Sequence, residues 1–284
     1  MPSFTNQATL SYRGNVTISN IVTGELVAVL SATKTALSER YGADDILTYV
    51  ISIVNSGPAP YTGLTMTDDL GAYTYGTGTL TPLTYVDGSL RYFVNGVLQA
   101  TPTPTADAPL TVPGIAVPAG GNALLIYETR VNSFAPLDTE STVTNTATLS
   151  GAGLTTPVQA ASTVNARAAA YLTIGKAVSP ATVAENGTLT YTFTIQNYGN
   201  TAAAETDNVT VSDTFSPILK AISVTYNGVA WTEGTQYTYN AATGAFATTA
   251  GQIPVPAASL TRDAATGAVV VTPGISTLTV TGTV

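Results

Sequence analysis

The chain has 284 residues, of which only 9% are charged, and its 17 acidic and nine basic residues give a formal net charge of -8. The basic residues are few and scattered singly, which excludes a nucleic-acid partner, and no run of 18 apolar residues predicts a membrane span. The absence of His and Cys excludes Ser-His-Asp and Cys-His catalysis, the common zinc sites and disulfide bonds.

The residue pattern predicts an all-β protein. Thr, Val, Ala, Gly and Tyr dominate in short alternating runs that Gly, Pro, Asn and Asp interrupt, and no segment keeps a helical period. The length allows two domains with separate cores. We therefore expect two tandem Ig-like β-sandwich domains, the second lacking its last strand, plus an N-terminal donor strand.

The N-terminal segment, residues 1–22, resembles a strand from inside the chain. Its "FTNQATLS" (Phe4–Ser11) nearly recurs as "VTNTATLS" (Val143–Ser150). The segment has neither the basic nor the apolar region of a signal peptide, and the chain has no LPxTG-type anchor. We expect residues 1–22 to be a strand and a linker, with no export signal in this chain.

An internal repeat divides the rest of the chain. The segment "KTALSERYGADDILTYVISIVNSG" (Lys34–Gly57) aligns without a gap with "KAVSPATVAENGTLTYTFTIQNYG" (Lys176–Gly199), and "LTMTD" (Leu64–Asp68) corresponds to "VTVSD" (Val209–Asp213). Both copies also contain an Asn-Gly hairpin signal. The predicted domains are residues 26–166 and 170–284, joined by a linker at Ala166–Leu172.

The second copy lacks a counterpart of the strand at Val143–Ser150, since "PGISTLTVTGTV" runs directly to Val284. An incomplete sandwich exposes an unpaired edge that a strand from another molecule can fill. Asn6 precedes Lys34 by nearly as many residues as Asn145 precedes Lys176. A connection of similar length would therefore join either strand to the domain that follows it. We expect head-to-tail self-association. In the alternatives, the strand covers its own first domain, folds back on its own second domain, or swaps within a closed dimer.

Alternation along the strands predicts polar residues inside the core. Asn145 shares a face with apolar neighbours, and Asn6 does the same on the N-terminal strand. The residues predicted to anchor that strand are Phe4, Ala8, Leu10 and Tyr12. Lys34 and Asp68 point inward in the first domain. Lys176 and Asp213 hold the same positions in the second.

A repeated inward lysine and aspartate require an explanation, because burying a lone charge costs several kcal/mol. Burial lowers the pKa of a lysine and raises that of an aspartate, so a neutral amine can attack an Asn carboxamide while the acid moves the protons. We predict isopeptide bonds Lys34–Asn145 within the chain and Lys176–Asn6 between chains, with Asp68 and Asp213 as the catalytic acids. A buried salt bridge without covalent chemistry is the alternative.

Two other acids compete for the catalytic role. Asp69 falls on the outward face of its strand, and Glu128 aligns with Gly282 of the second copy, so both fit less well. The acidic pairs lack the ligand spacing of a calcium loop. No metal or cofactor is predicted, and no enzyme activity beyond formation of the cross-links themselves.

The runs "LTYTFTIQNYGNTAAAETDNVTVSDTF" and "VTNTATLSG" resemble the bacterial surface-protein repeat known as domain of unknown function 11. The resemblance covers residues 26–284 and implies tandem β-sandwiches of surface proteins and fibrous appendages. It also implies cross-links from a first-strand lysine to a last-strand asparagine, a role that falls on Lys34 with Asn145, and on Lys176 with a partner from outside its own domain.

We therefore expect a structural subunit of an extracellular or spore-associated filament that polymerises with itself. The alternative is a surface adhesin module that binds a ligand through its loops. Exposed aromatic clusters would favour an adhesin, and the single Trp231 is the only indication of one.

Overall fold

A computed structural model describes residues 3–25, 27–106 and 108–284. The fold is all-β, as the residue pattern predicts. The only helix in these ranges is a single 3-10 turn, Glu205–Asp207. No helix among the described residues is long and apolar enough to cross a membrane.

Among the described residues, seventeen strands precede the connection at residues 167–171. The N-terminal segment forms β1 (Ser3–Asn6), β2 (Thr9–Tyr12), β3 (Asn15–Ile18) and β4 (Val22–Glu25). The longer strands that follow are β5 (Leu30–Ala36), β7 (Ile46–Asn55), β8 (Tyr61–Asp68), β14 (Leu110–Val117), β15 (Asn122–Val131), β16 (Thr142–Ser150) and β17 (Val158–Ala166). Between them lie β6 (Arg40–Tyr41), β9 (Tyr73–Tyr75), β10 (Gly78–Leu80), β11 (Leu83–Tyr85), β12 (Arg91–Val94) and β13 (Val97–Leu98).

Ten strands follow the connection. The second lysine and aspartate lie on β18 (Leu172–Ser179) and β20 (Ser212–Thr214), and β18 pairs with β19 (Thr188–Asn197). The others are β21 (Lys220–Tyr226), β22 (Val229–Ala230), β23 (Tyr237–Asn240), β24 (Ala245–Thr248), β25 (Ser259–Arg262), β26 (Val269–Thr272) and β27 (Gly274–Thr283).

The chain divides into two units. Unit 1 contains the described residues of 1–39, 45–131 and 144–164, and unit 2 those of 40–44, 132–143 and 165–284. In the first half of the chain one sheet has the order β13-β12-β15-β7-β5, with β11 also on β15, and the other the order β14-β8-β16-β17-β6. The second half forms β18-β19-β27-β21-β22 and β20-β24-β23.

The two units repeat one strand register. Lys34 on β5 lies opposite Ile51 on β7, and Lys176 on β18 lies opposite Phe193 on β19. These pairs coincide in the gapless alignment of the two copies, so the structure confirms that alignment. Alternate residues of β7 are buried, as expected for a strand with one face in the core.

The strand that carries the aspartate differs between the two units. In unit 1, β8 has eight residues and lies between β14 and β16. Its counterpart β20 has only three residues and, within the described chain, pairs with β24 alone. A strand with a partner on one side has fewer backbone hydrogen bonds to define it, which accounts for its shorter length.

The N-terminal segment is a hairpin, where we expected one strand and a linker over residues 1–22. β1 pairs with β4 and β2 with β3, and none of the four joins a larger sheet of the described chain. The turn at Arg13 and Gly14 has φ values of 48° and 80°, almost identical to those of the Asn-Gly turn at Asn95 and Gly96. Positive φ at both central residues is the geometry of a two-residue hairpin turn, here formed by Arg-Gly.

The repeated N-x-G motif closes a turn in each unit. Buried Asn55 donates from Nδ2 to the carbonyls of Ala59 (2.8 Å) and Pro118 (2.9 Å), and its Oδ1 accepts from the N–H of Gly57. Asn197 in unit 2 is also buried and its Oδ1 accepts from Gly199 in the same way. The asparagine therefore satisfies backbone groups where a long central strand ends.

We expect Asn55→Ala to destabilise unit 1, because it leaves buried backbone groups without partners at a cost of about 1–3 kcal/mol for each group. Chemical denaturation monitored by tyrosine fluorescence measures the change. Thr62→Ala, at an exposed position of β8, is the matched control and should change the stability little. Equal effects of the two substitutions would contradict this role for Asn55.

Candidate cross-linking sites

Lys34 and Asp68 form an ion pair in the core of unit 1, where both side chains are fully buried. Lys34 Nζ donates to Asp68 Oδ2 and lies 4.8 Å from the ring centre of Tyr49. Burial lowers the pKa of Lys34, although the Asp68 charge acts in the opposite direction. Burial thus makes the amine easier to deprotonate than that of an exposed lysine, and the neutral amine is the nucleophilic form.

Asn145 lies fully buried on β16 beside this pair. Its neighbour Ala147 is directly opposite Asp68, and the Thr146 N–H donates to Asp69 Oδ1 at 2.8 Å. Neither polar atom of the Asn145 side chain makes a hydrogen bond with any described part of the chain. An unsatisfied buried amide is costly, and a bond from its Cγ to Lys34 would replace it with a secondary amide.

Tyr127 is part of this site, and the sequence analysis missed it. Its hydroxyl donates to Asp68 Oδ2, the oxygen that also accepts from Lys34. Burial raises the pKa of Tyr127, and the charge of Asp68 raises it further, so the phenol stays protonated and remains a donor. Asn145 acts in the opposite direction and lowers that pKa, but it contributes least. Its side chain approaches the hydroxyl without reaching normal hydrogen-bond geometry.

The two rival acids have other positions. Asp69 Oδ1 accepts from the N–H groups of Gly71 and Thr146, so this carboxylate joins the end of β8 to β16. Glu128 lies on β15 in a strand whose alternate residues are buried. Asp68 is buried and Asp69 is partly exposed, which agrees with the inward and outward faces expected for them.

The expected alignment of Glu128 with Gly282 is wrong by one residue. Glu128 lies opposite Thr48, and the residue opposite Thr190, the counterpart of Thr48, is Thr281. The error arose because the two final segments share too few residues to place a gap. In the corrected register Val280 occupies the position of Tyr127, so unit 2 has no equivalent phenol at that position.

Unit 2 holds the second lysine and aspartate in an open form of the same site. Lys176 Nζ donates to Asp213 Oδ2, but 41% of the lysine side chain is exposed. The ammonium lies 4.8 Å from the ring centre of Tyr191 and 5.5 Å from that of Phe215. The expectation that each domain buries its Lys and Asp is therefore incorrect for unit 2 as it stands, because β20 has no described strand covering its outer side.

The predicted donor residues are exposed on the hairpin. Asn6 lies opposite Val22 at the base. Large fractions of the predicted anchors are accessible, namely 52% of Phe4, 65% of Leu10 and 62% of Tyr12, and Ala8 is also exposed. A chain seldom leaves such a row of apolar side chains uncovered without a binding role.

Trp231 does not form part of an exposed aromatic cluster. Its ring stacks on Tyr226 with 5.1 Å between ring centres, and it packs against the buried core of unit 2. The feature that favoured a ligand-binding adhesin is therefore a packing contact.

Neither a protein-family model nor a curated protein matches this chain. Among solved structures, the chain is similar to the pilus backbone protein RrgB from Streptococcus pneumoniae (10% identity, TM-score 0.35, covering 87% of this chain and 55% of that one). It is also similar to the major pilin SpaD from Corynebacterium diphtheriae (12%, 0.35, 78% and 49%) and to a collagen-binding domain of a Staphylococcus aureus adhesin (14%, 0.31, 50% and 99%).

The chain spans about half the length of the two pilins that it matches. At these identities and TM-scores the similarities assign no function. Membership of the family known as domain of unknown function 11 stays a prediction.

If Lys34 and Asn145 are joined as the sequence predicts, the purified protein should have an intact mass one ammonia short of the sequence mass. Asp68→Ala should restore the full mass, since the carboxyl group that contacts the amine is lost. It should also destabilise unit 1 by about 3–5 kcal/mol, because the Lys34 charge loses its buried partner. Mass spectrometry and chemical denaturation measure the two effects.

Asp69→Ala is the matched control, since it removes the adjacent carboxylate and leaves Asp68 in place. Its mass should remain one ammonia short. A wild-type protein with the full sequence mass would leave the buried salt bridge as the correct interpretation of this site.

Proposed function

We propose that this protein is the structural subunit of a filament that assembles head to tail. The N-terminal segment of one subunit completes unit 2 of the next, and isopeptide bonds then fix both units. One observation carries the proposal: unit 2 presents a paired Lys176 and Asp213 beside an uncovered strand edge, and the N-terminal segment repeats the sequence of the strand that covers this edge in unit 1.

The register of unit 1 defines how the donated strand would lie. There Ala147 is opposite Asp68 and Leu149 is opposite Met66. By the repeat, Ala8 of the donor takes its place opposite Asp213, and Leu10 opposite Val211. Asn6 then holds the position of Asn145, beside the lysine of the acceptor unit.

Bond formation requires three groups at each site. The neutral lysine Nζ attacks Cγ of the asparagine, and the resulting intermediate loses its former amide nitrogen as ammonia. The aspartate carboxyl group accepts a proton from the attacking nitrogen and returns a proton to the departing one, so nothing is oxidised or reduced. In unit 1 Tyr127 holds the carboxylate while this occurs.

Burial of the donor provides the driving force for the noncovalent step. Each large side chain that moves from water into the groove, such as Phe4 or Leu10, contributes about 1.5–3 kcal/mol. Backbone hydrogen bonds along β20 add directionality and register. The covalent bond then prevents dissociation.

The proposed filament lies outside the cell or on the spore surface, where a cross-link that needs no cysteine replaces a disulfide. Beyond its own cross-linking, we propose no enzymatic activity. Nothing in the packing of Trp231 favours the adhesin alternative.

We expect wild-type filaments to survive boiling in detergent as a ladder of multiples of the subunit mass. Asn6→Ala should still assemble, because Ala preserves the apolar face of the strand, but its filaments should boil down to single subunits. Gel electrophoresis of boiled filaments and negative-stain microscopy measure the two properties.

Removal of residues 1–12 is the control for assembly itself. The truncated protein should retain the intramolecular cross-link of unit 1 but form no filaments. Persistent ladders in Asn6→Ala would show that another residue makes the bond, whereas normal filaments from the truncated protein would contradict strand donation altogether.

A further inference from the structure

The open edge of unit 2 lacks more than one strand. In the first half of the chain, β8 is followed in its sheet by β16 and then by β17. Beside β20, the described chain supplies a counterpart of neither. A single donated strand would fill the place of β16 and leave its own outer edge without the partner that β17 provides.

By its spacing along the sequence, the N-terminal segment also has a counterpart of the second of these strands. Val16 precedes Lys34 by the same distance along the sequence as Val158, the first residue of β17, precedes Lys176. On this spacing Ile18 corresponds to Ala160 and Val22 to Val164, which is fully buried. The segment therefore has apolar residues at the positions where the side chains of β17 face the core.

The segment already has the form of an antiparallel pair. β1 and β4 form its base, where Phe4 lies opposite Gly24 and Asn6 opposite Val22. The ring of Phe4 occupies the space that a side chain at position 24 would need. Val22 is 54% exposed in this free hairpin, whereas its counterpart Val164 has no exposed surface.

We propose that the donated element is the whole hairpin, residues 3–25, which one copy of the chain inserts into unit 2 of a second copy. This inference rests on the proposed function and deepens it. The first strand of the hairpin lies beside β20 and delivers Asn6 to Lys176. The second strand takes the place of β17 and covers the first.

The outer strand has a specific neighbour. β17 pairs in parallel with β6, where Asn165 lies opposite Arg40. The equivalent residues are Thr23 of the donor and Thr182 of the acceptor. Val183, next to Thr182, already packs against the core of unit 2 and corresponds to the fully buried Tyr41.

Docking also changes the register of the whole hairpin. In the free hairpin Asn6 lies opposite Val22, whereas the pairing of β16 with β17 would place Phe4 opposite Val22, so the base shifts by two residues. At the tip, Leu10 lies opposite Thr17, one residue out of step with the base, so Leu10 and Ile18 point to opposite faces. Between β16 and β17, the Thr144 and Thr163 hydroxyls lie 2.8 Å apart, and Gln159 donates to Thr148 at 3.4 Å, in one continuous register. Adopting that register brings Leu10 and Ile18 to the same, apolar face.

Two matched substitutions test the hairpin against single-strand donation. Val22→Lys places a charge on the face that docks, and Thr23→Lys places the same charge on the opposite face. We expect Val22→Lys to lose filaments and detergent-resistant ladders, and Thr23→Lys to keep both. Thermal unfolding of the unassembled proteins should be unchanged, because this segment pairs only with itself among the described residues of the free subunit.

Each result is decisive. Normal assembly of Val22→Lys would overturn the hairpin and leave single-strand donation intact, because residue 22 would then lie in an uncovered linker. Loss of assembly in both variants would overturn the assignment of faces. If the wild-type protein itself formed no polymer, the proposed function would fail and the hairpin with it.

Cysteine pairs give a second measurement, since the natural chain has no Cys. Mixing Thr23→Cys and Thr182→Cys subunits under oxidising conditions should give a disulfide-linked dimer that a reductant separates, because paired residues in adjacent strands lie within bonding range. Thr17→Cys, at the far end of the outer strand, should not link to Thr182→Cys. Equal linking of both, or of neither, would contradict the proposed position of the second strand.

Discussion

The buried contact between Lys34 and Asp68 sets the conditions that the rest of unit 1 meets. An ammonium and a carboxylate taken out of water repay the cost of desolvation only when their remaining hydrogen-bonding capacity is also used. Tyr127 satisfies part of that need on Asp68, while Asn145 brings an amide whose polar atoms have no partner among the described residues. The two charges of the site are therefore paired with each other, whereas the polar atoms of Asn145 lack hydrogen bonds to the described residues. Covalent joining of lysine to asparagine removes both a buried charge and a buried primary amide.

The same constraint explains the difference between the two units. In unit 2 the lysine and aspartate keep their contact but remain accessible, so water solvates the pair and much of the desolvation cost is avoided. A strand that covered them without an asparagine would bury the ion pair and offer the amine no electrophile. A strand that carried one would reproduce the chemistry of unit 1. In the proposed assembly, the open edge of unit 2 would therefore select its partner by chemistry as well as by shape.

The features that the sequence predicted follow from local patterns and duplication. Alternation placed Lys34, Asp68 and Asn145 inside the core, and the gapless repeat carried the lysine position onto Lys176, where the strand register agrees. Tyr127 was missed because a buried tyrosine in a central strand looks like ordinary core, and only three-dimensional packing places its hydroxyl on Asp68. The hairpin was missed because an arginine is a rare residue at positive φ, whereas an asparagine at the same angle is readily recognised. The error at Glu128 came from placing a gap between segments with little sequence similarity.

A self-paired hairpin resolves a difficulty that any strand-donating subunit faces. A single extended strand with Phe4 and Leu10 on one face would expose an unpaired backbone and an apolar row, which favours uncontrolled aggregation. Pairing β1 with β4 and β2 with β3 satisfies the inner backbone groups before assembly and leaves only the outer edges open. Because its two strands are already extended and side by side, a docking hairpin would lose less conformational entropy than a free strand, although β1 and β4 must shift by two residues to reach the register of β16 and β17. The out-of-register tip places Leu10 and Ile18 on opposite faces of the free hairpin, which limits how well it can bury its own apolar residues. In the proposed assembly both side chains would lie on one face, against the core of the neighbouring subunit.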